Sequence, residues 1–163
     1  MIKKLHHAAY RCQDSERTRQ FYEDFLGLPL VHTIPIATTK TDRSVNVLHT
    51  FYQLGDGSHL AFFEAPDMAF EFKEQHDFDL HIALEVDKSF LVNMVQRGKE
   101  KGIETRGIVD HSIIESAYFR DPNGYVVELC TKNHTHDELM SSGELDARQQ
   151  LDEWTASTER KSA

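Results

Sequence analysis

The sequence predicts an α+β domain made of two βαβββ modules, and three observations carry that expectation. Apolar runs of strand length and strand alternation recur eight times in the first 131 residues. Two stretches carry apolar residues at helical spacing instead. The order strand-helix-strand-strand-strand then occurs twice, in 1–65 and in 80–131.

The first strand runs through Ala8 to Cys12. In "DSERTRQFYEDFLGL", Asp14 or Ser15 suits the N-cap of a helix. Phe21, Phe25 and Leu28 recur on one helical face, and Gly27 supplies the stop. "LPLVHTIPI" is a strand that Pro29 and Pro35 confine to a sheet edge. The alternating "VNVLHTFYQL", the turn "GDGS" and the strand "HLAFFEA" make a hairpin. Residues 66–79, "PDMAFEFKEQHDFD", read as a linker with one helical turn. The pattern restarts with the strand "LHIALEV", the helix "KSFLVNMVQRGKEKG" and the strand "IETRGIV". A second hairpin follows, "SIIESAYFRD" and "YVVELC" about the turn "PNG". Residues 132–163 form a polar tail, partly helical, with Leu139, Leu145, Leu151 and Trp154 as its apolar residues.

Composition narrows the function. With 163 residues the chain is long enough for one ordinary core. A formal charge of −9 argues against nucleic-acid partners and against docking on anionic membranes. No apolar run is long enough to span a bilayer, and the first residues lack the apolar core of a signal peptide. Two cysteines, Cys12 and Cys130, do not make a disulfide framework, so a cytoplasmic location is expected. Ten histidines direct attention to metal.

The repeat turns that attention to particular residues. "HAAYRCQD" from His7 aligns with "HIALEVDK" from His81. Aligning the hairpins by Gly57 and Gly124 places Ala61 against Glu128. Packing of the two modules with equivalent positions facing each other would bring His7, His81, Ala61 and Glu128 together. Glu128 sits within an apolar strand, where a carboxylate is costly unless it is paired or metal-bound. An ion pair with Arg11 or Arg120 would also serve it, and a single histidine at a strand start is more often a packing residue. The equivalence of the three positions favours a shared site, with His6 as the alternative ligand if the register slips by one. Two imidazoles and one carboxylate suit Fe(II), Mn(II) or Zn(II) and leave coordination positions open. A fourth ligand or a base at position 61 is missing, and Glu64, three residues on, points to the opposite face.

The two modules, with "HHAAYRCQDSERTRQFYEDFLGL" and "AYFRDPNGYVVELC", resemble the vicinal-oxygen-chelate superfamily over about residues 1–131. It includes glyoxalase I, methylmalonyl-CoA epimerase, bleomycin-resistance proteins and type I extradiol dioxygenases. The resemblance implies that the modules pair into one curved mixed sheet around a metal cup. Within the superfamily, "VDHSIIESAYFRDPNGYVVE" is most similar to the extradiol ring-cleaving dioxygenases, although Ala117 replaces a larger apolar residue before the tyrosine. That likeness implies His7, His81 and Glu128 as metal ligands, with Fe(II) first and Mn(II), Zn(II) or Ni(II) compatible. It implies an acid–base role for His59, a hydrogen bond from Tyr118 to a substrate oxygen, and His111 lining the pocket. Phe62 and Phe63 are core residues by default, with Phe63, on the face of His59 and Ala61, as a candidate to touch an aromatic ring. The implied partners are a small aromatic diol and O2. Such dioxygenases usually carry two domains of this kind, so the single domain here points to a homodimer. The alternatives are a glyoxalase- or epimerase-type isomerase or lyase and a metal-free drug-sequestering protein. His49, His32, His134 and His136 are expected to be surface or packing residues, and Asp121 to serve only its turn.

Overall fold

The computed structural model of the protein describes residues 1–39, 41, 43–142 and 144–159. The first module comprises β1 (His7–Cys12), α1 (Ser15–Arg19), β2 (Leu30–Thr38), β3 (Ser44–Gln53) and β4 (His59–Glu64). The second comprises β5 (His81–Glu85), α2 (Lys88–Glu100), β6 (Thr105–Asp110), β7 (Ile114–Arg120) and β8 (Val126–Lys132). The tail carries α3 (His136–Ser142) and α4 (Glu144–Glu159). Leu139, Leu151 and Trp154 of the tail are exposed, and the side chain of Leu145 lies outside the described residues. None of the described helices is long and apolar enough to cross a membrane.

Local chemistry sets the elements. Asp14 caps α1 by accepting from Arg17 N at 2.8 Å. The helix widens into a π-helical turn over Gln20–Phe25 and stops at Gly27, whose φ of +83° a residue with a Cβ rarely adopts. Each module builds one four-stranded sheet, in the orders β1-β4-β3-β2 and β5-β8-β7-β6. The first and last strands of each module pair in parallel and the other neighbours antiparallel. Pro35 accordingly lies on β2, at an edge.

Two features differ from the expectation. The segment 66–79 contains turns and no helix, because its backbone is tied to the second module: Lys73 N donates to Asn123 O at 2.8 Å, and Arg120 Nη1 to Gln75 O at 3.2 Å. The sheets also remain two and do not join into one curved sheet. The modules meet through the faces that carry α1 and α2, in a shared core of Phe21, Tyr22, Phe25, Leu60 and Phe62 with Leu91, Met94, Phe119, Val127 and Leu129. Tyr10 meets Tyr125 and Phe25 meets Phe119 across this seam, with ring centroids 5.2 and 5.6 Å apart.

Asp121 does more than shape its turn. Its buried carboxylate accepts from Asn123 N and Tyr125 N, both at 2.8 Å, from Asn123 Nδ2 at 3.0 Å, and from Tyr22 OH of the other module at 3.1 Å. Burial nevertheless pushes its pKa upward and the Tyr22 phenol well above its usual value.

Candidate functional site

With the helix faces turned inward, the opposite face of each sheet stays open. On the second module, strand pairing sets Arg106, Tyr118, Glu128 and Ala83 in one row across β6, β7, β8 and β5. Glu128 is 3% exposed, yet neither Arg11 nor Arg120 reaches it. Arg11 binds the carbonyls of Ala65 and Met68, and Arg120 binds Glu104, Gln75 and Gly124. The partners of Glu128 are Ser116, whose hydroxyl donates to Oε1, and His81, whose Nε2 lies 2.9 Å from Oε2. Nδ1 of His81 is 2.7 Å from the Asp77 carbonyl. A carbonyl can only accept, so Nδ1 carries a proton and donates. Nε2 faces a carboxylate oxygen, and at that distance a proton or a cation lies between the two atoms.

Beside this pair, Tyr118 OH is 2.9 Å from His111 Nε2. Burial first, and then the charge of Glu128, raises the Tyr118 pKa.

The open face of the first module is aromatic. His7 is exposed at the start of β1, its Nδ1 is 2.8 Å from His6 Nδ1, and its ring lies 5.8 Å from Phe51 and 6.2 Å from His49. His49 is buried and stacks on Phe63 at 3.7 Å, so it belongs to this face and not to the outer surface. Burial, then the neighbouring His7, lowers its pKa. His59 is the strand partner of His7, 6.1 Å from Phe51, with Nδ1 buried and unpartnered among the described residues. Ala61 is fully buried, and Glu64 is occupied by accepting from Ser15 N at 2.7 Å.

The single chain thus brings His81 and Glu128 together and keeps His7 apart from them. Among the described residues no group of three or more His, Cys, Asp and Glu is disposed to hold a metal ion. The convergence of His7 with His81 and Glu128 that the repeat leads one to expect is not seen among the described residues of the single chain. His49, Ser116, Asp77 and Arg106 were not singled out from sequence. Alternation alone places Ser116 and His49 on the open faces, each two residues before Tyr118 or Phe51. Nothing local marks Asp77.

Residues 4–129 match the model of the Glyoxalase/Bleomycin resistance protein/Dioxygenase superfamily. No curated protein matches the sequence. Among solved structures, a glyoxalase/dioxygenase from Nostoc punctiforme is similar at 24% identity and a TM-score of 0.61, over 81% of this chain and 92% of that one. The trypanothione-dependent glyoxalase I of Leishmania major is similar at 19% identity and 0.63, over 91% and 98%. The fosfomycin resistance protein FosX of Mesorhizobium loti is similar at 21% identity and 0.62, over 84% and 98%.

Proposed function

Because the chain belongs to the Glyoxalase/Bleomycin resistance protein/Dioxygenase superfamily, we propose that it is a metal-dependent enzyme that opens a catechol-type ring with O2, using His7, His81 and Glu128 as ligands. One observation carries this reading. Where the second module has Glu128, the first has Ala61 within an aromatic wall of His49, Phe51 and Phe63. That combination gives three donors, open coordination positions and a surface for an aromatic ring. An isomerase of glyoxalase type would need a further carboxylate there, and Glu64 is engaged elsewhere.

The donor set fits a divalent ion. The Asp77 carbonyl fixes the tautomer of His81, Ser116 orients Glu128, and buried Glu128 needs a positive partner. A related structure, FosX of Listeria monocytogenes, is described as complexed with Mn(II). A bound ion would supply Lewis acidity that acidifies a coordinated phenol, and Fe(II) would also exchange electrons with O2. Tyr118 donates to a substrate oxygen, with His111 holding its hydroxyl in place. His59 moves the phenol proton. Both atoms of O2 enter the product as the ring C–C bond beside the diol breaks, so no other reductant is consumed. His7 is supplied by a second copy of the chain, whose first-module face covers the His81–Glu128 face of this one.

The test is metal content after anaerobic purification, for wild type and Glu128→Gln, followed by oxygen uptake with catechols. Iron near one per chain, lost in the variant, with uptake stoichiometric with ring opening, supports the proposal. Bound Mn(II), Zn(II) or Ni(II) without oxygen uptake moves the protein to the isomerase class. No metal even after Fe(II) is added leaves a binding module.

A further inference from the structure

The connection between the modules carries an ion pair that neither sheet needs for its pairing. Asp77 accepts from Arg106 Nη2 at 2.7 Å on both carboxylate oxygens. The same Arg106 guanidinium lies 5.2 Å above the Tyr118 ring. Arg106 is the strand partner of Tyr118, which is the strand partner of Glu128. The backbone carbonyl of Asp77 receives His81 Nδ1 at 2.7 Å. One arginine therefore fixes the residue that orients His81 and also covers the tyrosine beside Glu128.

We propose that Arg106 and Asp77 are positioning residues, which hold the Asp77 carbonyl against His81 Nδ1–H and so keep Nε2 turned towards Glu128. The inference rests on the metal-site reading for its purpose, but not for its structural content. A free neutral imidazole can carry its proton on either nitrogen, so a fixed acceptor at Nδ1 selects the metal-binding form. The carbonyl sits in a turn whose hydrogen bonds, from Phe78 N, Asp79 N and Leu80 N, all go to His76, so Asp77 itself is held by its side chain through Arg106, and the strand hydrogen bonds begin only at His81. Releasing the side chain frees the carbonyl to swing away. The pair is partly exposed, with side chains 48% and 22% accessible, so breaking it leaves the core untouched.

Arg106→Met and Asp77→Asn test this separately, with Arg106→Lys as the conservative variant and Glu104→Gln as a control that removes the Arg120–Glu104 ion pair of the same module. Two readouts are taken on the full chain. One is the tautomer of His81 from imidazole 15N shifts in the metal-free protein at pH about 8, assigned with His81→Gln. The other is the Kd for Mn(II). The expected result is an Nδ1 that keeps its hydrogen-bonded proton in wild type and in Glu104→Gln, whatever Nε2 carries, and an Nδ1 only partly protonated in Arg106→Met and Asp77→Asn. The Mn(II) Kd rises about 10–100-fold in those two variants, with Arg106→Lys between. An unchanged tautomer in both variants overturns the proposal, whatever the metal does. If the tautomer changes while wild type binds no Mn(II), the positioning role stands and the metal-site reading fails.

Discussion

Separation of His7 from His81 and Glu128 has a quantitative consequence for mixed assemblies. Take two variants, His7→Gln and Glu128→Gln, each unable to complete a site on its own. If each site combines the first module of one copy with the second module of its partner, a dimer has two sites. In a dimer of one variant both sites are broken. In a mixed dimer one site collects both lesions and the other collects none. Random pairing of equal amounts gives about half mixed dimers, each with one intact site of two, so about one quarter of the wild-type sites return. The assay is co-refolding or co-expression with different tags, followed by Mn(II) titration of the mixture and of each variant alone. The recovered sites should bind with the wild-type Kd, because no residue in them is altered. Recovery of no sites, in a mixture shown by the tags to contain mixed dimers, would refute the reasoning: the ligands would then meet within one chain, and the helix-face packing of the modules would not be what divides them.

Asp121→Ala removes the acceptor of four hydrogen bonds from Tyr22, Asn123 and Tyr125, all buried, and should cost about 3–5 kcal/mol in urea unfolding. A loss under 1 kcal/mol would show that water replaces the carboxylate. Cys12 is 1% exposed and its thiol is pushed up to about 11, chiefly by burial. At pH 8 its thiolate fraction is then about two orders of magnitude below that of an ordinary cysteine, and iodoacetamide should label it only after unfolding, as peptide mass mapping would show. Gly124 has φ +97°, and a Cβ there would run into the backbone of Lys73. Gly124→Ala should lower stability by about 1–3 kcal/mol and loosen the linker bearing Asp77, so that Mn(II) affinity falls with it.

The order of elements was legible because strand alternation and helical spacing are local, and because each module repeats the other. The contact of Glu128 with His81 is instead made inside one module, where β5 and β8 are parallel neighbours with Ala83 opposite Glu128. What the sequence did not reveal is which faces of the modules meet. That choice depends on contacts such as Tyr22 with Asp121 and Thr18 with Asn123, about a hundred residues apart, and no local pattern announces them. A buried polar residue without an apolar period, such as His49 or Ser116, is likewise ambiguous until its strand is paired. Asp77 lay hidden because its contribution to His81 is a backbone carbonyl, which any residue type supplies.

The two open faces carry different chemistry at equivalent positions. Strand registers equate Phe51 with Tyr118, His49 with Ser116, Ala61 with Glu128 and Phe63 with Cys130. At each position the first module holds an aromatic ring or a methyl group, and the second holds a hydroxyl, a carboxylate or a thiol. Two faces of the first kind would offer a substrate rings and imidazoles but no carboxylate, and two of the second kind only the ring of Tyr118 among their polar groups. Juxtaposing unlike faces, as the proposed site requires, would supply both and would bring His7 from the aromatic side to His81 and Glu128 on the polar side. The chemical asymmetry of a structurally symmetric repeat is therefore itself an argument that the faces work as a pair.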